Sequence, residues 1–221
     1  PRTSAYYGRN YWAGRIVALG RPIMDSPMQN ATAHFLNTML YAAGPSPHES
    51  AVPAEVYGEN YRAKDIESAD TQFIRVKTKD GVKIEFMVSH SLTVNEGPTT
   101  EYHYENGVVY WEGMGAGRSG ITKIVRTAGG TEEVLEEFDD GDVRINDLVF
   151  VNTLESIAKA TTPLCSIDNA MQHTMCIQHA FDSSRGVQTI DGTYTERKAV
   201  EKELYGGLAA GTQSYNIVVP G

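Results

Sequence analysis

The most concentrated polar chemistry in this sequence lies just after residue 24. Asn30, His34 and Asn37 are spaced as on one face of a helix, and Asp25 and Gln29 share another face. Amide and imidazole groups arranged in this way can bind the hydroxyls of a sugar-like substrate, and His34 can also transfer a proton. The same face could instead pack against a neighbouring domain through satisfied hydrogen bonds. Spacing alone leaves both interpretations open.

A further candidate is His90, at the end of a predicted strand. It continues a face that is otherwise apolar, formed by Val82, Ile84, Phe86 and Val88. A histidine at that place could contact a ligand. The alternative, a core histidine with a single hydrogen bond, is favoured by the apolar face.

Other recognisable sites are not predicted. A dinucleotide cradle needs a Gly-rich turn between a strand and a helix, whereas the Gly-rich run 113–120 lies between strands and is expected to be a flexible connection. His173 and His179 lie about 120° apart around one predicted helix, so they cannot share a metal. The acidic run 132–142 lacks the order of a calcium loop and is expected to be a solvated hairpin tip. No metal-binding or cofactor-binding residue is therefore predicted here.

Composition excludes several partners. The chain has 28 acidic and 19 basic side chains and a net charge of −9, without a basic cluster, which argues against nucleic acid. No apolar stretch approaches the roughly 20 residues that span a bilayer, and no signal peptide is visible, so no membrane partner is expected and a cytoplasmic location is favoured. Cys165 and Cys176 are too far apart on one predicted helix to form a disulfide, and Cys176 is expected in the core.

The elements around the candidate residues can be predicted from local signals. Asp25-Ser26-Pro27 is typical of a helix start, and a helix is predicted from Met28 to Ala43, where Gly44-Pro45 ends it. Residues 6–15 have no clean period and are expected to form an extended arm or irregular strand.

From Val52 to Gly130 the pattern changes to period two. Asp80-Gly81 and Asn106-Gly107 favour type I′ hairpin turns, and a third hairpin is predicted at 128–130. One continuous, mainly antiparallel sheet is expected. Its predicted strands are Ala54–Tyr61, Thr71–Lys79, Val82–Leu92, Thr100–Glu105, Val108–Glu112, Ile121–Arg126 and Glu133–Phe138.

Two further helices are predicted after the sheet. One starts at Asn146-Asp147, with an apolar repeat at Phe150, Leu154, Ile157 and Ala158. The other starts near Ser166 and has an apolar stripe of Ile167, Met171, Thr174, Ile177 and Phe181. This order predicts an α+β fold, with a large open, mainly antiparallel mixed sheet and helices packed on one face. A single domain is expected, with an arm over 1–24, a core over 25–187 and an irregular tail over 188–221.

Two stretches carry a resemblance to a known family. Residues 20–37, closed by Leu40 and Gly44, resemble the Asp…His helix of the glucose-fructose oxidoreductase/inositol dehydrogenase (Gfo/Idh/MocA) family. Segment 147–184 is similar to that family's closing helix pair, and the strands between fit its open sheet. The resemblance covers roughly residues 25–187.

The resemblance implies that this chain is the C-terminal half of a larger enzyme. Family members bind NAD(P) in an N-terminal Rossmann domain that ends near a Glu-Lys-Pro motif, so NAD or NADP would be bound mainly outside this chain. The second domain supplies substrate contacts, and its sheet commonly forms the dimer interface. Asp25 occupies the family's aspartate, Gln29 stands at its histidine and Pro27 at its small glycine. His34 is then the candidate to replace that histidine.

The leading interpretation is the substrate-binding and oligomerisation domain of an NAD(P)-dependent dehydrogenase acting on a sugar, cyclitol or related polyol. Asp25 and His34 are predicted to be catalytic. The predicted substrate-binding residues are Gln29, Asn30, Tyr11, Trp12, Arg15 and His90. The chain alone is expected to be inactive, and its expected partners are a Rossmann domain, a sugar-like substrate and further copies of itself. The alternative is a non-catalytic carbohydrate-binding or assembly domain of the same fold, which Gln29 in place of histidine favours.

Overall fold

The computed structural model describes residues 1–92, 98–113, 121–128, 131–139, 145–199 and 213–218. The chain groups into two compact units, one of Pro1–Thr93 with Glu155–Gly221 and one of Val94–Leu154. In chain order the helices and strands are α1 (Ser4–Tyr7), β1 (Val17–Ala18), β2 (Arg21–Pro22), α2 (Ala33–Ala42), β3 (Pro53–Arg62), β4 (Thr71–Thr78), β5 (Lys83–Ser89), β6 (Thr99–Tyr104), β7 (Gly107–Glu112), β8 (Ile121–Ala128), β9 (Thr131–Asp139), α3 (Ile145–Lys159), α4 (Ile167–Ser183), β10 (Val187–Thr189), β11 (Thr195–Ala199) and β12 (Gln213–Ile217).

The first unit is built on a four-stranded sheet in the order β10-β3-β4-β5. The last three strands of that order are antiparallel neighbours, and β10 pairs in parallel with β3, so the sheet is mixed. Alternate residues of β4 are buried, including Gln72, Ile74 and Val76, because successive side chains of a strand point to opposite faces. One face of the sheet is therefore part of the core and the other is open.

Helices α2 and α4 cover the buried face of this sheet. Leu36 and Leu40 of α2, Ile74 of β4 and Ile177 of α4 are at most 1% exposed and form the centre of the core. Helix α4 lies close to β3 at Gly58, where an added Cβ would be 2.5 Å from the carbonyl oxygen of Ala180. Only glycine allows the helix and strand to approach this closely.

The second unit contains a four-stranded antiparallel sheet in the order β6-β7-β8-β9. The α+β class, with open and mainly antiparallel sheets, is thus confirmed. The expectation of one continuous sheet is wrong for the described residues, because their pairing forms two four-stranded sheets and the two-stranded ribbons β1-β2 and β11-β12. Ribbon β11-β12 also gives the tail more regular structure than was expected.

The hairpins are confirmed, but their turn types are not. The turn between β4 and β5 spans residues 79–82, and in it the Gly81 N–H donates to the carbonyl oxygen of Thr78, 3.0 Å away, and Gly81 has φ +85°. Tyr104 pairs with Gly107, so Glu105 and Asn106 form the next turn. A type I′ turn needs positive φ at both central residues, and neither Asp80 nor Asn106 has it.

The helix predicted from Met28 begins only at Ala33. Residues 26–32 form turns, in which both the backbone N–H and the hydroxyl of Thr32 donate to the carbonyl oxygen of Pro27, at 2.9 and 2.8 Å. Such local side-chain bonds compete with the regular helical pattern. The arm is also not extended, because it contains the short helix α1 followed by turns.

The starts of the last two helices agree with prediction to within one residue, but their buried sides differ. Ser166 caps α4 by accepting a hydrogen bond from the Asn169 N–H. Ile167 of the predicted stripe is 86% exposed, while His173 and Cys176 are buried. On α3 the apolar residues Phe150, Leu154 and Ile157 are exposed. No helix in the described part of the chain is long and apolar enough to cross a membrane.

Candidate functional site

Asp25 lies at the point where the arm meets the segment leading to α2. Its side chain is buried, and both carboxylate oxygens accept hydrogen bonds: Oδ2 from the Gly14 N–H at 2.7 Å and Oδ1 from the Asn30 side-chain amide at 2.9 Å. The Asp25 N–H donates to the carbonyl oxygen of Arg15. Asp25 therefore joins two stretches of chain, and both oxygens of its carboxylate are already occupied by hydrogen bonds within the protein.

The next residues are held by a buried polar network. The Met28 N–H donates to Oε1 of Gln72 at 3.1 Å, and Nε2 of His173 lies 2.9 Å from the Met28 carbonyl oxygen. Gln72 in turn donates to Oδ1 of Asn60 at 2.7 Å. Burial lowers the pKa of His173, which favours the neutral imidazole that this packing needs. The network fixes the start of the candidate site against the sheet.

His34 lies in the first turn of α2 and is exposed. Partial desolvation lowers its pKa below the usual value of 6.5, so the ring is neutral at pH 7 and can accept a proton. Gln29 and Asn37 each have a side-chain oxygen that is out of contact with solvent and has no hydrogen-bond partner among the described residues. Asn30 is exposed and bonds to Asp25.

The predicted aromatic and basic residues lie on the loop before Asp25. Tyr11 is 61% exposed, Trp12 is half-buried and Arg15 is exposed. The backbone of this loop is joined to Asp25 through Gly14 and Arg15. The structure therefore connects Tyr11, Trp12 and Arg15 to the same segment as Asp25, Gln29 and Asn30.

His90 is buried at the end of the sheet and pairs with a tyrosine that sequence reasoning missed. Its Nδ1 lies 2.7 Å from the hydroxyl of Tyr7, and its Nε2 has no partner among the described residues. Burial is the largest cause that holds the pKa of His90 well below 6.5, followed by nearby positive charges. This placement favours the core-histidine interpretation over a ligand contact. The pair is separated by 83 positions in the chain, so no local pattern could have revealed it.

A buried lysine adjoins this pair. Nζ of Lys64 donates to Oγ of Ser91 at 2.6 Å and to the carbonyl oxygen of His90 at 3.1 Å. Its backbone N–H donates to the buried carboxylate of Asp70. Burial lowers the pKa of Lys64 to about 8, although Asp70 acts in the opposite direction. Sequence reasoning missed Lys64 and Asp70, because charged side chains in the connection between two strands are usually exposed to solvent.

Neither a metal site nor a disulfide is present in the described residues. No group of three or more potential metal ligands lies together there. Cys165 and Cys176 are both free, and burial raises the pKa of Cys176 to about 12, as suits the predicted inert core residue. Much of the Gly-rich run, 114–120, lies outside the described residues, as do residues 140–142 of the acidic run.

One open groove in the described residues contains none of the predicted site residues. It measures about 820 Å³ and lies between the turn after α2 and the start of α4, where His48, Lys79, Asp80 and Asp168 line it. Its mixed charges do not select one class of ligand.

No family model matches this sequence, and no curated protein matches it. Solved structures with a similar fold include aldose-aldose oxidoreductase from Caulobacter crescentus complexed with glycerol, with a TM-score of 0.58 and 14% identity over 78% of this chain and 48% of that chain. The WlbA dehydrogenase from Bordetella pertussis, in complex with NADH and UDP-GlcNAcA, has a TM-score of 0.56 and 16% identity over 81% of this chain and 49% of that one.

A third similar structure is UDP-N-acetylglucosamine 3-dehydrogenase GnnA from Acidithiobacillus ferrooxidans, with a TM-score of 0.54 and 12% identity over 68% of this chain and 45% of that chain. This chain spans about half the length of each of the three proteins. Similarity at such low identity establishes a shared fold, and it confirms at that level the resemblance found in the sequence.

Proposed function

We propose that this chain, whose fold is that of part of the Gfo/Idh/MocA-type oxidoreductases, is the substrate-binding and oligomerisation domain of an NAD(P)-dependent dehydrogenase. The proposed substrate is a sugar, cyclitol or related polyol. The observation that carries the proposal is the exposed His34, whose pKa is lowered by partial desolvation, in the same short segment as two amide oxygens, of Gln29 and Asn37, that have no hydrogen-bond partner among the described residues. Unpaired polar atoms away from solvent are rare in proteins, and rotation of the two side chains toward solvent would let a hydroxyl-rich ligand satisfy them.

The proposed chemistry of this chain is proton transfer and orientation. A ring nitrogen of His34 accepts the proton of the substrate hydroxyl that is oxidised, because the lowered pKa keeps the imidazole neutral. Gln29, Asn30 and Asn37 orient the other hydroxyls. Asp25 acts as a positioning residue, since both of its oxygens already hold the loop and Asn30 in place.

The nicotinamide cofactor is proposed to be held by another part of the intact protein, in a Rossmann domain. A nicotinamide bound there would supply the acceptor for the hydride that leaves the substrate carbon. This proposal is supported by Gly113, at the start of the Gly-rich run 113–120: it directly follows strand β7 and the next described element is strand β8, whereas a dinucleotide cradle lies between a strand and a helix. The residues named above are proposed to act on the substrate side.

The open face of the sheet in the first unit is the proposed surface for self-association. Met87 is 73% exposed on this face and Tyr57 is 48% exposed, beside the Arg75–Glu85 ion pair. We expect Met87→Glu to shift the intact protein to a smaller species in light-scattering measurements. The control, Leu19→Glu, changes a residue of the β1-β2 turn that is 82% exposed, and it should leave the oligomer unchanged. Equal masses for wild type and Met87→Glu would remove this face from the interface.

The test of the proposed activity uses the intact protein with NAD or NADP and a panel of sugars, cyclitols and polyols. We expect reduction of the nicotinamide with at least one of them, and a loss of about 10²- to 10⁴-fold in kcat for His34→Ala. His48→Ala, at an exposed turn after α2, should retain activity. Sugar binding without any nicotinamide reduction would favour the non-catalytic alternative instead.

A further inference from the structure

The arm differs in charge from the rest of the chain. Residues 1–24 contain four arginines and no acidic side chain, whereas the remainder has 15 basic and 28 acidic side chains. In the described part of the molecule, neither Arg9 nor Arg15 nor Arg21 has an acidic partner. A local concentration of unpaired positive charge on an acidic protein attracts anions.

One of these arginines is held by aromatic rings. Cζ of Arg9 lies 3.6 Å from the centroid of the Tyr6 ring and 5.0 Å from that of Trp12, and one guanidinium nitrogen donates to the Tyr6 carbonyl oxygen. Arg9 is nevertheless exposed. A guanidinium held by rings keeps most of its N–H groups available, and their planar fork matches a phosphate or carboxylate.

The loop that carries Arg9 and Arg15 is rigidly built. Oδ1 of Asn10 accepts hydrogen bonds from the N–H groups of Trp12 and Ala13, at 3.1 and 2.8 Å. Gly14 adopts φ +70°, and a Cβ there would lie within 3.1 Å of the neighbouring side chains, so only glycine fits. A preorganised loop loses little entropy when it binds a ligand.

The same loop borders the proposed substrate site. Gly14 donates to the Asp25 carboxylate, and the Arg15 carbonyl oxygen accepts from the Asp25 N–H. On the other side, the Tyr6 ring lies 5.7 Å from the His90 ring in an edge-on arrangement. The loop that carries Arg9 and Arg15 is therefore joined through Asp25 to Asn30, one of the proposed substrate-binding residues.

We infer that the loop of residues 6–15 binds an anionic substituent of the substrate, so that the substrate is a sugar derivative carrying a phosphate or a carboxylate. This inference rests on the proposed function and narrows its substrate class. Arg9 supplies the oriented hydrogen bonds and Arg15 adds positive charge. Tyr11, exposed beside them, provides a surface on which the apolar face of the sugar packs.

The test is titration calorimetry on the intact protein with matched probes: glucose, glucose 6-phosphate and glucuronate, and the corresponding galactose series. We expect at least one anionic sugar to bind tenfold or more tightly than its neutral parent, and the difference to shrink as salt is added. Comparison of the sugar phosphate with the sugar carboxylate identifies which anion the loop binds more tightly.

Arg9→Gln and Arg15→Gln should each weaken binding of the anionic sugar about tenfold without changing that of the neutral sugar. Arg185→Gln, at another exposed arginine, is the matched control and should have no effect. Equal affinity for neutral and anionic sugars would overturn the inference and leave the proposed function intact. Weaker NAD(P) binding in Arg9→Gln, with sugar binding unchanged, would also overturn it. If no sugar of either kind binds, both the inference and the proposed function fail.

Discussion

Variants that break the two hydrogen bonds to the Asp25 carboxylate can test whether this residue has a structural role or takes part in the reaction. Asp25→Ala leaves the buried Gly14 N–H and the Asn30 amide without their acceptor. A hydrogen bond to a charged group contributes about 1.5–3 kcal/mol. Asn30 is exposed and can bond to water, so most of the loss comes from Gly14. We expect the free energy of unfolding to fall by about 3 kcal/mol in urea titrations.

Exchanging the two side chains provides the control. Asp25→Asn alone keeps an acceptor for Gly14, and the exposed Asn30 amide can turn its oxygen toward the new amide, but both hydrogen bonds lose the charge of the carboxylate, at a cost of about 1–2 kcal/mol. In the double variant Asp25→Asn/Asn30→Asp, the new amide donates to the new carboxylate and its oxygen still accepts from Gly14. Stability should then exceed that of Asp25→Asn and lie about 1 kcal/mol below wild type, because Gly14 now donates to a neutral oxygen.

Turnover of the same variants decides the role. A positioning role predicts that the exchanged pair regains most of the activity lost in Asp25→Ala. The reasoning is refuted if Asp25→Ala is as stable as wild type, or if the double variant is no more stable than Asp25→Asn. A stable double variant with no activity would instead assign Asp25 a direct role in the chemistry.

Two further predictions concern stability. Gly58→Ala forces a Cβ against the α4 backbone and should lower the free energy of unfolding by about 1–3 kcal/mol in urea titrations. Gly192→Ala is the control, because its new Cβ meets no neighbour and should have little effect. Equal stabilities of the two variants would contradict the close packing of α4 on β3. Because the pKa of Lys64 is lowered from 10.5 to about 8, the unfolded chain binds more protons than the folded one above pH 8, so stability should rise toward pH 10 by on the order of 2 kcal/mol. Above pH 10 the raised pKa of Tyr7 acts in the opposite direction. Thermal unfolding across this range should show the rise in wild type and in the exposed control Lys83→Met, and a rise that persists in Lys64→Met would contradict the assignment.

The antiparallel hairpins could be predicted because their evidence is local. In β4 the buried positions of Gln72, Ile74 and Val76 follow the alternation of the sequence, and the partner strand lies a short turn away. Local signals could not predict the point at which the strands separate into two sheets. That outcome depends on pairing between distant segments, and adjacent hairpins look alike whether or not their sheets join.

The sequence indicated which residue types lie in the candidate site, but not their secondary structure, burial or partners. The spacing of Asn30, His34 and Asn37 assumed one continuous helix, whereas the bonds of Thr32 delay its start until Ala33. Burial of Asp25 also could not be foreseen, because it depends on Gly14 of the arm reaching the carboxylate. The pairing of Tyr7 with His90, and the burial of Lys64 beside them, arise only when the arm packs on the sheet.

The pH dependence of kcat/KM for sugar oxidation by the intact protein tests the central claim most directly. If neutral His34 accepts the substrate proton, activity should fall at acid pH with an apparent pKa below 6.5, because protonation removes the acceptor. In His34→Gln the rate should be lower, and this acid limb should disappear. An unchanged acid limb in His34→Gln, at a rate close to that of wild type, would contradict the account.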